Sequence, residues 1–271
     1  MSDAHHLTDL IETWRAAIAE FVALARDVPE EQWNLPTDLE GWSVKDNVAH
    51  TAHLEGVLAG AAEETVPVEE APHIKTLTGF YTEQGVLARR DKDIGALADE
   101  IEQAAATRYA ELQADPPVDP KAAPPRTPGG VPWDVGTLLS NRPLDVWMHE
   151  QDIRRAIDLP GGYGTDPARH AIAKFGGALP MVLGKRVAPP VGTSVQIDVP
   201  EADASWTAAI GEDGRAGFVD PVDSPTVRIT LSAEDFVVLA GGRRTLDATA
   251  PTFEGDAELG RQVLSSFAVT P

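Results

Sequence analysis

Gly41-Trp42-Ser43-Val44-Lys45-Asp46-Asn47-Val48-Ala49-His50-Thr51-Ala52-His53 is the stretch on which the fold turns. Ser43 stands where an N-cap belongs, with Asp46 three residues on as in a capping box, so a helix should begin at Val44. Val48, Leu54 and Val57 continue it at helical spacing to about residue 62, before an acidic, proline-broken loop at 63–72. This helix carries His50 and His53 one turn apart.

Working outward, residues 7–27 form an earlier amphipathic helix through Leu10, Trp14, Ile18, Phe21 and Ala25. Val28-Pro29 closes it, since the residue before proline avoids the helical region. Residues 77–112 are helical in composition, with a polar break at Asp91-Lys92-Asp93. Residues 114–133 hold seven prolines and a Gly-Gly pair, which exclude regular structure. A fourth helix spans 133–158, with Pro143 set to kink it or delay its regular part, and Leu159-Pro160-Gly161-Gly162 ends it.

The period then changes. After one more helix (167–183), alternating stretches at 195–199, 206–210, 216–219 and 227–231 read as strands. Glu212-Asp213-Gly214 marks a hairpin turn. Ser232 with Asp235 opens a short helix to Ala240, and Gly255-Asp256 precedes a last helix at 257–267. The reading is of two domains, an all-α bundle at 1–160 and an α+β domain at 165–271.

The totals narrow the function. Forty-three acidic against 22 basic side chains give a net charge of −21, a field that repels both nucleic acid and anionic membranes. No apolar run approaches the roughly 20 residues of a membrane helix. Residues 1–10 lack a basic segment followed by an apolar one, so no signal peptide is expected and the protein should be cytoplasmic. The absence of cysteine excludes disulfides, iron–sulfur clusters and a cysteine nucleophile. Any metal must then sit on histidine and carboxylate, and any thiol chemistry needs a thiol supplied by a small molecule.

One constellation carries chemistry. Asp145, His149 and Asp152 share a face of the fourth helix at spacings of four and three. With a histidine of the second helix they offer two imidazoles and a carboxylate, a ligand set that leaves one position open for water or substrate. Spacing alone leaves this open against hydrogen-bonded core histidines beside a charged face of Arg142, Arg154 and Arg155. His5, His6, His73 and His170 read as solvated, and the six tryptophans as packing residues.

Residues 41–53 resemble the GW-[ST] signature of the mycothiol-dependent maleylpyruvate isomerase family, within the DinB-like superfamily of metal-binding four-helix bundles. Asp145-Val146-Trp147-Met148-His149-Glu150-Gln151-Asp152-Ile153-Arg154 is similar to the family's second ligand helix. The stretches 230–235, 241–244 and 253–259 resemble its sterol-carrier-like C-terminal domain. The resemblance implies a divalent metal, expected to be zinc, on His50, Asp145 and His149, where Asp145 replaces the family's more frequent Glu. It implies mycothiol as cosubstrate and a small electrophile as substrate, in a monomer or small homo-oligomer. His53 is a competing ligand or a group that orients the thiol. Asp152 fixes a ligand or pairs with Arg154, and Arg243 and Arg244 are the candidate cations for substrate carboxylates and the developing enolate. Two rival readings stand: a mycothiol S-transferase, and a non-catalytic binder of metal or an apolar ligand.

Overall fold

The computed structural model describes residues 3–270. The chain divides into two compact units, Met1–Gly162 and Tyr163–Pro271. The first holds helices α1 (Asp3–Asp27), α2 (Val44–Leu58), α3 (Leu77–Leu87), α4 (Ile94–Ala114) and α5 (Val135–Ala156). Side-chain caps set most of the starts. Ser43 Oγ accepts from the Asp46 N–H at 3.3 Å while Asp46 Oδ2 accepts from the Ser43 N–H at 2.9 Å, a complete capping box. Thr76, Asp93 and Asp134 cap α3, α4 and α5. Asp93 takes extended backbone to do so, which is why the helical stretch 77–112 is two helices. Helix α2 stops at Leu58, short of 62, because Gly60 turns the chain out at φ +97°. Helix α5 runs through Pro143; the roughly 3 kcal/mol such a residue costs a helix interior is offset by burial of Leu139, Pro143, Val146 and Trp147 around it.

α1 packs on α4 and α5, and α2 packs on α3, α4 and α5, around a core of Leu7, Trp14, Phe21, Val48, Leu97 and Ile153. α2 is the innermost helix: every residue but Lys45 is buried. A helix buried all round is normally apolar, yet α2 carries Asp46, Asn47, His50, Thr51, His53 and Glu55. Each is a polar group out of water, where a partner is the rule. The partners of Asn47 and His50 lead to the site.

The second unit opens with α6 (Asp166–Gly176), followed by a turn at Leu179–Met181 and a π-helical turn at Val182–Val187, so the expected helix 167–183 is broken. A five-stranded sheet of order β3-β2-β1-β4-β5 follows: β1 (Ser194–Val199), β2 (Ala204–Ile210), β3 (Ala216–Phe218), β4 (Val227–Thr230) and β5 (Thr252–Gly255). β1 and β4 are parallel; the other pairs are antiparallel. Val195, Ile197, Val199, Val227 and Ile229 point to one buried face. Helices α7 (Ala233–Ala240) and α8 (Ala257–Ser265) complete the unit, with Phe236 against Trp206, Phe175 and Phe267. Among the described residues, no helix is long and apolar enough to cross a membrane.

Candidate metal centre

His50 of α2 meets Asp145 and His149 of α5. His50 Nε2 lies 3.6 Å from Asp145 Oδ2, and His149 Nε2 lies 3.6 Å from Asp145 Oδ1. The imidazole centroids are 4.6 Å apart, and one donor atom from each residue lies within 4.8 Å of the others. Tetrahedral bonds of about 2.0–2.1 Å place neighbouring ligand atoms about 3.3 Å apart. The cluster therefore has nearly the spacing a divalent ion imposes, and the shorter reach of Asp145 is no obstacle. Both imidazoles are buried, while the Asp145 side chain is one-third exposed. The approach from water is over Asp145.

Hydrogen bonds from the surroundings engage two of the three residues, His149 and Asp145. His149 Nδ1 lies 2.8 Å from Asn47 Oδ1, and Asn47 Nδ2 in turn donates to Ser43 O at 2.9 Å and Thr37 Oγ1 at 3.3 Å. With its amide nitrogen engaged, Asn47 presents oxygen to the imidazole, which places the His149 proton on Nδ1 and leaves the Nε2 lone pair for an ion. Asp152 Oδ2 stands 3.5 Å from the same Nδ1. Arg155 pairs with Asp152, and Arg154 pairs with Glu150 at 2.7 Å. Arg142 Nη1 donates to Asp145 Oδ2 at 2.8 Å. Trp42 walls the cluster, with ring centroids 4.9 Å from His50 and 5.9 Å from His149, and is anchored by its Nε1–H on Glu83 Oε2 at 2.8 Å.

These contacts set the protonation states. Burial, reinforced by His149, pushes His50 down to about 4, so its imidazole is neutral at pH 7. Burial alone would lower His149 too, but the Asp145 and Asp152 carboxylates outweigh it and hold it above its ordinary value. Burial would raise Asp145, but the Arg142 cation and the two imidazoles hold it well below the usual carboxylate range. An ion entering here meets two imidazoles and one carboxylate, and the raised affinity of His149 for protons makes protons its competitors at that residue.

His53 lies apart from the cluster. It packs against the backbone of Gly85, where a Cβ would sit 2.1 Å from its ring, and 5.2 Å from the Tyr81 ring. Neither of its buried nitrogens has a hydrogen-bond partner. Arg243 and Arg244 belong to the second unit, directly after α7, where Arg243 Nη1 donates to Gly241 O at 2.8 Å and Arg244 pairs with Glu234 at 3.7 Å. His73 is not a solvated loop residue: it is only 20% exposed and lies 3.4 Å from Glu83. Sequence reading gave no site role to Asn47 or Glu55, and took Arg142 for part of a charged face and Trp42 for packing. The available signal was position: Asn47 precedes His50 by three residues and Arg142 precedes Asp145 by three, each one turn from a ligand.

Comparison with known proteins bears on the fold and the family. The crystal structure of the mycothiol-dependent maleylpyruvate isomerase superposes with a TM-score of 0.56 at 18% identity, covering 93% of this chain and 96% of that one. The crystal structure of a histidine-to-alanine mutant of the mycothiol-dependent maleylpyruvate isomerase gives 0.54 at 17% identity, with the same coverage. At such identities the likeness is one of fold. No curated protein matches the sequence. A family model, the mycothiol maleylpyruvate isomerase N-terminal domain, matches residues 14–154, more than half of the chain and all of the cluster. The chain belongs to the mycothiol maleylpyruvate isomerase N-terminal domain family.

Proposed function

We propose that this protein is a cytoplasmic, mycothiol-dependent enzyme of the maleylpyruvate isomerase kind, with a divalent ion, zinc by ligand type, held by His50, Asp145 and His149. The observation that carries the reading is the convergence of two Nε2 atoms and one carboxylate at ligand spacing within the matched family segment. The helical unit is then a DinB-like four-helix bundle with α3 added, and the second unit a sterol-carrier-like domain.

A free thiol is mostly protonated at neutral pH and only its thiolate is a strong nucleophile. A bound zinc ion supplies the missing acidity. The protein's own groups do the rest. Asn47 keeps the His149 lone pair on Nε2, Arg142 keeps Asp145 turned toward both imidazoles, and Trp42 excludes water from one side. In the isomerisation, thiolate sulfur adds to the activated carbon–carbon double bond and the electron pair moves into the adjoining carbonyl as an enolate. The former double bond rotates, and collapse of the enolate expels the thiolate, giving the trans isomer. Nothing is oxidised or reduced, and the thiol returns unchanged. Arg243 and Arg244 receive the substrate carboxylates and the enolate charge, as two cations presented after the Gly241-Gly242 turn. His53 orients the thiol rather than holding the ion, and Asp152 supports His149.

The test is consumption of maleylpyruvate by purified, zinc-loaded protein with mycothiol, with glutathione and with no thiol. Isomerisation that requires mycothiol and stops on chelation is the expected result. A stable thiol adduct would replace isomerase by S-transferase. Turnover independent of both thiol and metal, or no reaction with any thiol, would overturn the proposal.

A further inference from the structure

The first unit carries a line of buried charge next to the cluster. Glu55, on α2 five residues after His50, is wholly buried. Its Oε1 accepts from Trp14 Nε1 of α1 at 3.1 Å, and from Arg142 of α5 through Nε at 3.1 Å and Nη2 at 2.7 Å. Arg108 of α4 stands 3.5 Å from Glu55 Oε2 and lies over the Trp14 ring at 4.5 Å. Arg142 is 2% exposed, and its remaining arm, Nη1, reaches Asp145 Oδ2 at 2.8 Å.

We infer that Glu55 and Arg142 are positioning residues for the metal carboxylate: Glu55 fixes the guanidinium plane, and the guanidinium fixes the Asp145 rotamer that presents Oδ1 to His149 and Oδ2 to His50. The inference rests on the metal reading above. Its physical basis is the contrast between the three ligands. Both imidazoles are enclosed, whereas Asp145 has a third of its side chain in water and two carbon–carbon torsions that would let it swing outward. A guanidinium has its donors in one rigid plane, so fixing two of them on Glu55 fixes the direction of the third. The donor at Oδ2 also occupies one of that oxygen's lone pairs and disfavours a bidentate grip on an ion. Charge alternates along the line from Asp145 through Arg142 and Glu55 to Arg108. Glu55 thereby balances the Arg142 cation, whose other carboxylate partner, Asp145, is shared with an entering dication.

The test uses cobalt(II) alone as probe on the full chain, since its visible bands report coordination geometry. Glu55→Gln keeps the shape and the acceptor for Trp14 but removes the charge. Arg142→Lys keeps the charge but removes the planar fork. Each should weaken cobalt binding about 10- to 100-fold and alter the bands, with the far-UV circular dichroism unchanged. Should Arg142→Lys fail to fold, Glu55→Gln decides alone. Wild-type affinity and wild-type bands in the folded variants overturn the inference, even if melting temperature falls, because a purely structural role moves only the latter. A wild-type protein that takes up no cobalt refutes the metal reading itself, a result distinct from variants that bind as the parent does.

Discussion

Replacing Asn47 by Leu tests the site at its most enclosed point. Asn47 is fully buried and holds His149 Nδ1 at 2.8 Å. Leucine is close in volume but accepts nothing, so the imidazole loses the contact that fixes its tautomer. Losing such a partner lowers metal affinity about 10- to 100-fold, or roughly 1.4–2.8 kcal/mol. The structure places the effect at the low end, because Asp152 Oδ2 waits 3.5 Å from the same nitrogen and can take over the proton. Asn47→Leu alone should therefore weaken zinc binding about tenfold, and Asn47→Leu with Asp152→Leu about a hundredfold. Asn47 also donates to Ser43 O and Thr37 Oγ1, so its removal should cost about 1–3 kcal/mol of stability. Competition of each protein with a chromophoric chelator at pH 7 gives the affinities, and nitrogen-15 shifts of the imidazole ring report the tautomer. A folded Asn47→Leu protein with parental zinc affinity and an unchanged His149 tautomer would refute the reasoning.

Three further outcomes are expected. His149→Ala should abolish binding of one equivalent of zinc, measured by elemental analysis, while His53→Ala should leave it intact; the reverse would make His53 the ligand. Burial holds His53 near 4 in the folded protein, against about 6.5 unfolded, so the unfolded chain binds more protons between those values and stability is lost as pH falls from 6.5 toward 4. That histidine accounts for up to about 3 kcal/mol of the loss, so metal-free His53→Leu should show a shallower decline in melting temperature over this range than the parent, and parallel curves would count against it. Arg243→Ala and Arg244→Ala should lower turnover with zinc content unchanged, and parental turnover in both would remove them from the mechanism.

The change from helical to strand periodicity near residue 190 was legible because the chain before it repeats apolar residues at three and four and the stretches after it at two. Ser43, Asp93 and Ser232 marked helix starts or breaks through short side chains that compete for backbone donors. What escaped has physical causes. β5 is four residues at a sheet edge, mostly exposed, with no apolar alternation to betray it. The helix 167–183 reads as continuous because Leu179 to Val187 remains helical in handedness while switching to π-type bonding, a difference of register that composition does not carry.

The residues of the cluster stood out in the sequence for a different reason from those around them. Two histidines one turn apart on one helix, and aspartate and histidine one turn apart on another, draw attention by residue type, and the resemblance then singled out His50, Asp145 and His149, which spacing had left open. Asn47, Glu55 and Arg142 are ordinary polar residues whose role exists only once α2 is known to be buried on every side. In an amphipathic surface helix the same residues would face water and do nothing. It is burial that makes Asn47 choose a single imidazole nitrogen, and that makes Glu55 and Arg142 pair instead of being solvated. A sequence pattern reports which atoms can bind an ion. Which of them are held still to do so depends on how little water the surrounding helices leave, and at Asp145, the one side chain of the cluster still open to solvent, the neighbouring donor is Arg142.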